Sequence, residues 1–114
     1  MSQTRDDVRR FALSLAHAVE RAHRGAPAFR VGARIFCRLP ADMAAILVKL
    51  DGETQSSLTA SHPGVVAPAR LYARHGWTQV RLDLADEALL HAVLRLAWSH
   101  AAPKRMVKAA HQAM

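Results

Sequence analysis

Periodicity, punctuation and chain length together predict an α+β fold, an antiparallel sheet with helices mainly on one face, in the order α-β-β-β-α-β-β-α. Apolar residues recur at helical spacing near both ends of the chain and alternate with a period of two between about Phe29 and Leu84. Glycine and proline clusters separate the segments. At 114 residues with 51% hydrophobic content, a single domain spanning 1–114 with a core over about 5–105 is expected, and that content suffices for one core.

Each element has a local cause. Thr4 can cap a first helix whose opening turn carries Asp6 and Asp7 near the positive end of the dipole. Val8, Phe11, Ala12, Leu15 and Val19 then form one apolar stripe, and Gly25-Ala26-Pro27 interrupts any continuation. From Phe29 a strand, a turn at Gly32 and a second strand follow as a hairpin. In the second strand Ile35, Cys37 and Leu39 lie on one side and Arg34, Phe36 and Arg38 on the other. Leu39 to Asp42 reads as a turn, and Met43 to Leu50 as a third strand.

Asp51 is an N-cap for a short helix through Leu58, stopped by His62-Pro63-Gly64. Pro68 makes the stretch from Val65 to Ala73 an edge strand or an irregular crossing. Alternation returns from Trp77 to Leu84, with Val80, Leu82 and Leu84 facing one way and Trp77, Gln79 and Arg81 the other. Asp86 and Glu87 open a last helix with Leu90, Val93, Leu94, Ala97 and Trp98 on its apolar face, and Pro103 ends it. The pattern of residues 104–114 is too sparse to assign.

Sixteen Lys+Arg against nine Asp+Glu give a formal charge of +7, which favours anionic partners. Thirteen of the sixteen cations are arginine, so a biased genome accounts for part of the excess equally well. The lone cysteine, Cys37, rules out an internal disulfide and suits a reducing compartment. It sits in an apolar strand, as a small core residue would. The opening residues are unlike a signal peptide, and no apolar run approaches the roughly 18 residues of a membrane span. A cytoplasmic protein with no membrane partner is expected.

Four stretches carry a resemblance: Pro27 to Leu39 (PAFRVGARIFCRL), Ile46 to Asp51 (ILVKLD), His75 to Asp83 (HGWTQVRLD) and Ala102 to Arg105 (APKR). Together they make the chain similar to the small bacterial MmcQ/YjbR proteins over about Arg5 to Arg105. The resemblance implies the family's fold, which is similar to that of small secretion chaperones, and its DNA-binding label. Similar proteins often carry glycine and lysine where Ala33 and Arg34 stand, which keeps the cation but leaves the hairpin turn to Gly32.

With helices on the side of Ile35, Cys37, Ile46, Val48, Val80 and Leu82, the opposite side presents Arg34, Phe36, Arg38, Leu47, Lys49, Trp77, Gln79 and Arg81. Interleaved cations and aromatics suit nucleic acid, because cations neutralise phosphates and rings stack on bases. The nucleic-acid-binding candidates are Arg34, Phe36, Arg38, Lys49, Trp77 and Arg81, with Arg74, Lys104 and Arg105 as a basic rim. The expected partner is DNA or RNA, bound electrostatically without sequence specificity. The alternative is a protein-interaction module or a homodimer, since an open sheet face is ordinarily polar and Phe36, Leu47 and Trp77 equally suit an interface.

Other chemistries lack support in the sequence. None of the seven histidines forms a His-x-x-x-His pair, and His91 and His100 fall on opposite sides of a helix. There is no Gly-x-Ser-x-Gly elbow, no Gly-x-x-x-x-Gly-Lys loop and no Gly-x-Gly-x-x-Gly turn. Asp51, Glu53, Asp86 and Glu87 are explained as helix starts. Neither an enzyme nor a bound cofactor or metal is expected.

Overall fold

The structure, a computed structural model, describes residues 2–41 and 44–112. Asp42 and Met43, which fall in the expected second turn and third strand, lie outside the described residues, as do 113 and 114 at the end of the unassigned tail.

Helix α1 (Arg5–Ser14) begins at a reciprocal cap: the Asp7 amide donates to Thr4 Oγ1 at 3.0 Å and the Thr4 amide donates to Asp7 Oδ2 at 2.8 Å. The helix is shorter than its apolar stripe suggests. The chain turns after Leu15, with His17 at φ 59°, and the indole Nε1 of Trp98 donates to the Ala16 carbonyl at 2.8 Å. Val19 therefore lies in a two-residue strand β1 (Val19–Glu20) rather than on the helix. Gly25 and Ala26, expected only to stop a helix, turn the chain at His23–Ala26 into strand β2 (Ala28–Val31).

Strands β3 (Arg34–Arg38), β4 (Ala45–Lys49), β5 (Val66–Pro68) and β6 (Trp77–Arg81) complete a sheet in the order β1-β2-β3-β4-β6-β5, antiparallel throughout. Both edges are short, and β5 carries Pro68, which blunts edge-to-edge pairing. Helix α2 (Gly52–Ser61) starts at Asp51, whose Oδ1 accepts from the Thr54 amide at 2.7 Å. Helix α3 (Glu87–Ala101) starts at Asp86, whose Oδ1 accepts from the Leu89 amide at 2.8 Å. Residues beyond Pro103 form helix α4 (Lys104–Gln112), with Met106, Val107 and Ala110 against the core.

Cross-strand pairing fixes the two sides of the sheet. Phe29, Cys37, Val48 and Thr78 align across four strands, and with Val31, Ile46, Val80 and Leu82 they are buried on the side covered by the helices. Ala28, Arg38, Leu47 and Gln79 align on the other side, where every large side chain keeps some exposure.

The alternation fails at one place. Phe29 pairs with Cys37, yet the next residue, Arg30, pairs with Ile35, so Phe36 is an extra residue on β3. This β-bulge turns two successive side chains, Phe36 and Cys37, into the core, both 0% exposed. Three expectations are corrected by it: Phe36 is not on the open face, Ile35 is not on the covered one but stands half-buried on the open face opposite Arg30, and Arg34, paired with Val31, takes the covered side's register and stands exposed at its edge near Leu50 and Pro103 rather than on the open face. Leu84 is a further correction. Strand β6 ends at Arg81 in a turn, so Leu84 is 52% exposed instead of continuing the core side.

Two glycines are required by geometry. Gly32, at φ 61°, supplies the left-handed position of the two-residue β2–β3 turn while Ala33 does not, as expected of a turn that rests on Gly32. Gly76 has φ 94°, and a Cβ there would overlap the Leu50 carbonyl oxygen. Its own carbonyl accepts from the Leu50 amide at 2.9 Å and from Thr78 Oγ1 at 3.0 Å. Gly76→Ala is therefore expected to cost at least about 2 kcal/mol from backbone strain and overlap, a fall of roughly 10 °C in Tm. A thermal melt followed by circular dichroism checks this, and a shift below about 3 °C would contradict the close approach of these backbones.

Candidate functional site

Strands β3 and β4 pair only at Cys37↔Val48 and Arg38↔Leu47. Beyond the bulge, toward Arg34 and Lys49, their ladder opens, and a cleft of about 560 Å³ occupies the gap. Arg30, Ile35, Lys49 and Trp77 line it from the open side of the sheet, Ala33 from the hairpin turn, Arg34 from the start of β3, and His100 and Ala101 from the end of α3. A larger groove of about 1070 Å³ adjoins it through Ala33, Arg34, His100 and Ala101. Leu50, Leu96, Pro103 and Val107 supply apolar wall to this groove, and Lys104 and Lys108 supply charge.

Sequence reasoning found four of the converging residues: Arg34, Lys49 and Trp77 line the cleft, and Lys104 meets Arg34 in the groove. Arg38 is half-buried on the same sheet face, outside the cleft. Arg81 is on that face too, but its guanidinium donates to Asp83 at 2.6 and 3.2 Å, so its charge is matched. Arg74, in a single helical turn over Ala73–His75, and Arg105, on α4, are exposed and line neither cavity. Phe36 is in the core. Arg30 and His100 were missed: Arg30 is legible, because it alternates between the inward Phe29 and Val31, whereas His100 reaches the cleft only through packing of α3.

Acids are kept away from the cleft. Asp6 and Asp7 face Arg9 and Arg10 on α1, and Glu20 takes two hydrogen bonds from Arg9 at 2.9 and 3.0 Å. Asp83 holds Arg81, and Asp51 and Asp86 cap helices. Asp51 lines the adjoining groove, while Arg30, Arg34, Arg38 and Lys49 have no ion-pair partner among the described residues. Nε of Arg30 and Nε of Arg38 are, moreover, buried without a hydrogen-bond acceptor. Such unmatched donors cost free energy that an anionic acceptor would recover.

Trp77 is half-buried, with Lys49 Nζ 6.0 Å from its ring centroid. The backbone at Trp77 is fixed by Gln55, whose Nε2 donates to the Trp77 carbonyl at 3.0 Å, to the Ala73 carbonyl at 3.2 Å and to Thr78 Oγ1 at 3.0 Å. Elsewhere, His91 stacks on Phe11 at 3.7 Å between centroids, under the Arg95 guanidinium. Burial holds the Cys37 thiol protonated, far above its ordinary range, which makes it a core residue rather than a nucleophile.

His23 reports the local field. Burial, then Arg38, Arg24 and Arg30, lowers its pKa below the ordinary 6.5. The unfolded chain thus takes up this proton first as pH falls, so stability declines with acidification through about that range. Asp7, Glu20, Asp51 and Asp83, lowered by the Thr4 amide, the Arg9 guanidinium, the Thr54 amide and the Arg81 guanidinium respectively, add loss of the same sign below the ordinary carboxyl range. The His23 ring protons are expected to titrate below pH 6.5 by NMR. A midpoint at or above 6.5 would contradict the burial of this ring beside Arg38, Arg24 and Arg30.

Comparison with known proteins places the chain among relatives. A family model described as YjbR matches residues 13–100. Among solved structures, the crystal structure of Deinococcus radiodurans protein DR2400, described with the family-model domain DUF419, is similar with a TM-score of 0.73 at 28% identity, covering 85% of this chain and 77% of that one. No curated protein matches.

Proposed function

This chain belongs to the YjbR family, and from that premise we propose that it binds nucleic acid, without sequence specificity, through the basic face of its sheet and the cleft at the end of β3 and β4. One observation carries the reading. Arg30, Arg34, Lys49 and His100 line with Trp77 a cleft whose lining includes no carboxylate, within a chain of formal charge +7. Cations so placed neutralise phosphates and release counterions, and an aromatic face among them adds stacking.

Binding, not catalysis, is the proposed activity. Hydroxyls such as those of Ser14, Ser61 and Thr78 donate to backbone carbonyls rather than to a histidine, and Cys37 is buried and protonated. A cytoplasmic location suits the single reduced thiol. Among the described residues no helix is long and apolar enough to cross a membrane. The competing reading, a protein or self-association surface, draws on Val19, 50% exposed, and the half-buried Ile35 and Leu47 on the same face.

Titration of a labelled mixed-sequence oligonucleotide at several salt concentrations separates the two. Nucleic-acid binding is expected to weaken steeply, with a slope of log K on log salt of roughly −2 to −3 for three or four phosphate contacts. Joint replacement of Arg30, Arg34 and Lys49 by Ala is expected to weaken it at least about tenfold and to flatten the slope. Arg10→Ala, on the distant α1, is expected to do neither. No binding at low salt, or binding indifferent to the triple substitution, would overturn the proposal and favour a protein partner.

A further inference from the structure

The structure assigns the cleft between β3 and β4 to one unstacked base and its phosphate, so that the ligand class is single-stranded nucleic acid rather than duplex. This rests on the nucleic-acid reading and sharpens it. At about 560 Å³ the cleft has the capacity of a small-ligand pocket, which typically spans roughly 300–1,000 Å³, far less than a duplex needs. It is recessed: its lining includes not only Arg30, Lys49 and Trp77 on the open face but also His100 and Ala101 of the helix behind the sheet. His100 is exposed and also lines the adjoining groove, so the cleft runs from the open face of the sheet into that groove. In a duplex the faces of the bases are already covered by their stacked neighbours, so only a base outside the stack can lay its face on the half-buried Trp77 ring.

Single strands have no such obstacle, because their bases can splay out and stack on aromatic rings. Trp77 offers a half-buried ring with Lys49 beside it. Arg30 brings a buried Nε donor with no acceptor of its own, and Arg34 stands exposed at the mouth, where the cleft meets the adjoining groove. The chemistry recognised is thus a planar aromatic group joined to an oxyanion. A duplex and a single strand share the oxyanions, so the cations alone do not distinguish them. Selectivity between them falls to Trp77.

Trp77 also supplies the signal for the test, since the only other tryptophan, Trp98, is 5% exposed in the core. Oligothymidylate and a duplex of equal length are titrated against the wild-type protein, Trp77→Ala and Trp77→Phe, with adenosine 5′-monophosphate and inorganic phosphate as small probes. The expected results are quenching of Trp77 by the single strand and by the nucleotide but not by phosphate. Trp77→Ala should lose roughly tenfold or more in single-strand affinity, with duplex affinity changed by less than about twofold, and Trp77→Phe should recover part of the loss. Equal effects on both nucleic acids, or an affinity for single strands indifferent to Trp77→Ala, would overturn the assignment while leaving salt-dependent binding intact. Absence of binding by single strand, duplex and nucleotide alike would sink the assignment together with the broader reading. Circular dichroism melts of both variants keep a folding defect from being mistaken for either result.

Discussion

The extra residue at Phe36 is the constraint on which the rest of the molecule depends. A strand of strict alternation would bury Ile35 and Cys37 and leave Phe36 exposed; the slip between Phe29↔Cys37 and Arg30↔Ile35 instead buries Phe36 and Cys37 side by side. The core gains a large aromatic at the centre of the sheet, where α3 packs on β3 and β4. The irregularity lies where β3 and β4 stop pairing after two residue pairs. The buried Phe36 on one side of the sheet and the cleft beyond it thus meet at the same irregularity, where packing adjoins the proposed binding surface.

Charge follows a similar division. Six of the eight described carboxylates cap α1, α2 or α3 or hold Arg9, Arg10 or Arg81, and the other two, Glu53 and Glu87, stand in the first turns of α2 and α3. Because they are spent near helix starts and hairpin edges, the cations of β2, β3 and β4 remain unneutralised on the sheet. Surface ion pairs contribute little stability individually, so the arrangement matters more for the field it leaves than for the pairs it makes. Burial first, and then Arg38, Arg24 and Arg30, disfavours the protonated form of His23, so these arginines act in the same direction as its burial.

Most of the fold was legible because it follows from short-range rules. Caps at Thr4, Asp51 and Asp86, the stop at His62-Pro63-Gly64 and the apolar faces of α3 and β6 each depend on residues within a few positions of one another. The misreadings share another cause. Val19 belongs to a helical stripe by spacing and to β1 by pairing with Arg30, and Ile35 and Phe36 exchange sides because of a register slip that alternation does not encode. Helix α4 gains its order from Met106, Val107 and Ala110 meeting the core, which a sparse local pattern does not reveal. At the site, Lys49 and Trp77 are legible because a cation and an aromatic alternate onto the open face; Arg34 lines the cleft from the covered side's register because of the slip at Phe36, and His100 only through the docking of α3.

The central claim is that the cleft beside the bulge is where nucleic acid meets this protein, and contact mapping tests it most directly. A single strand carrying 5-iodouracil at one position, irradiated in complex with the wild-type protein and digested, is expected to leave its crosslink on the peptide containing Trp77, with lesser yield near Arg30 and Arg34. Crosslinks confined to α1 or α2, on the covered side of the sheet, would contradict the account and move the binding surface elsewhere.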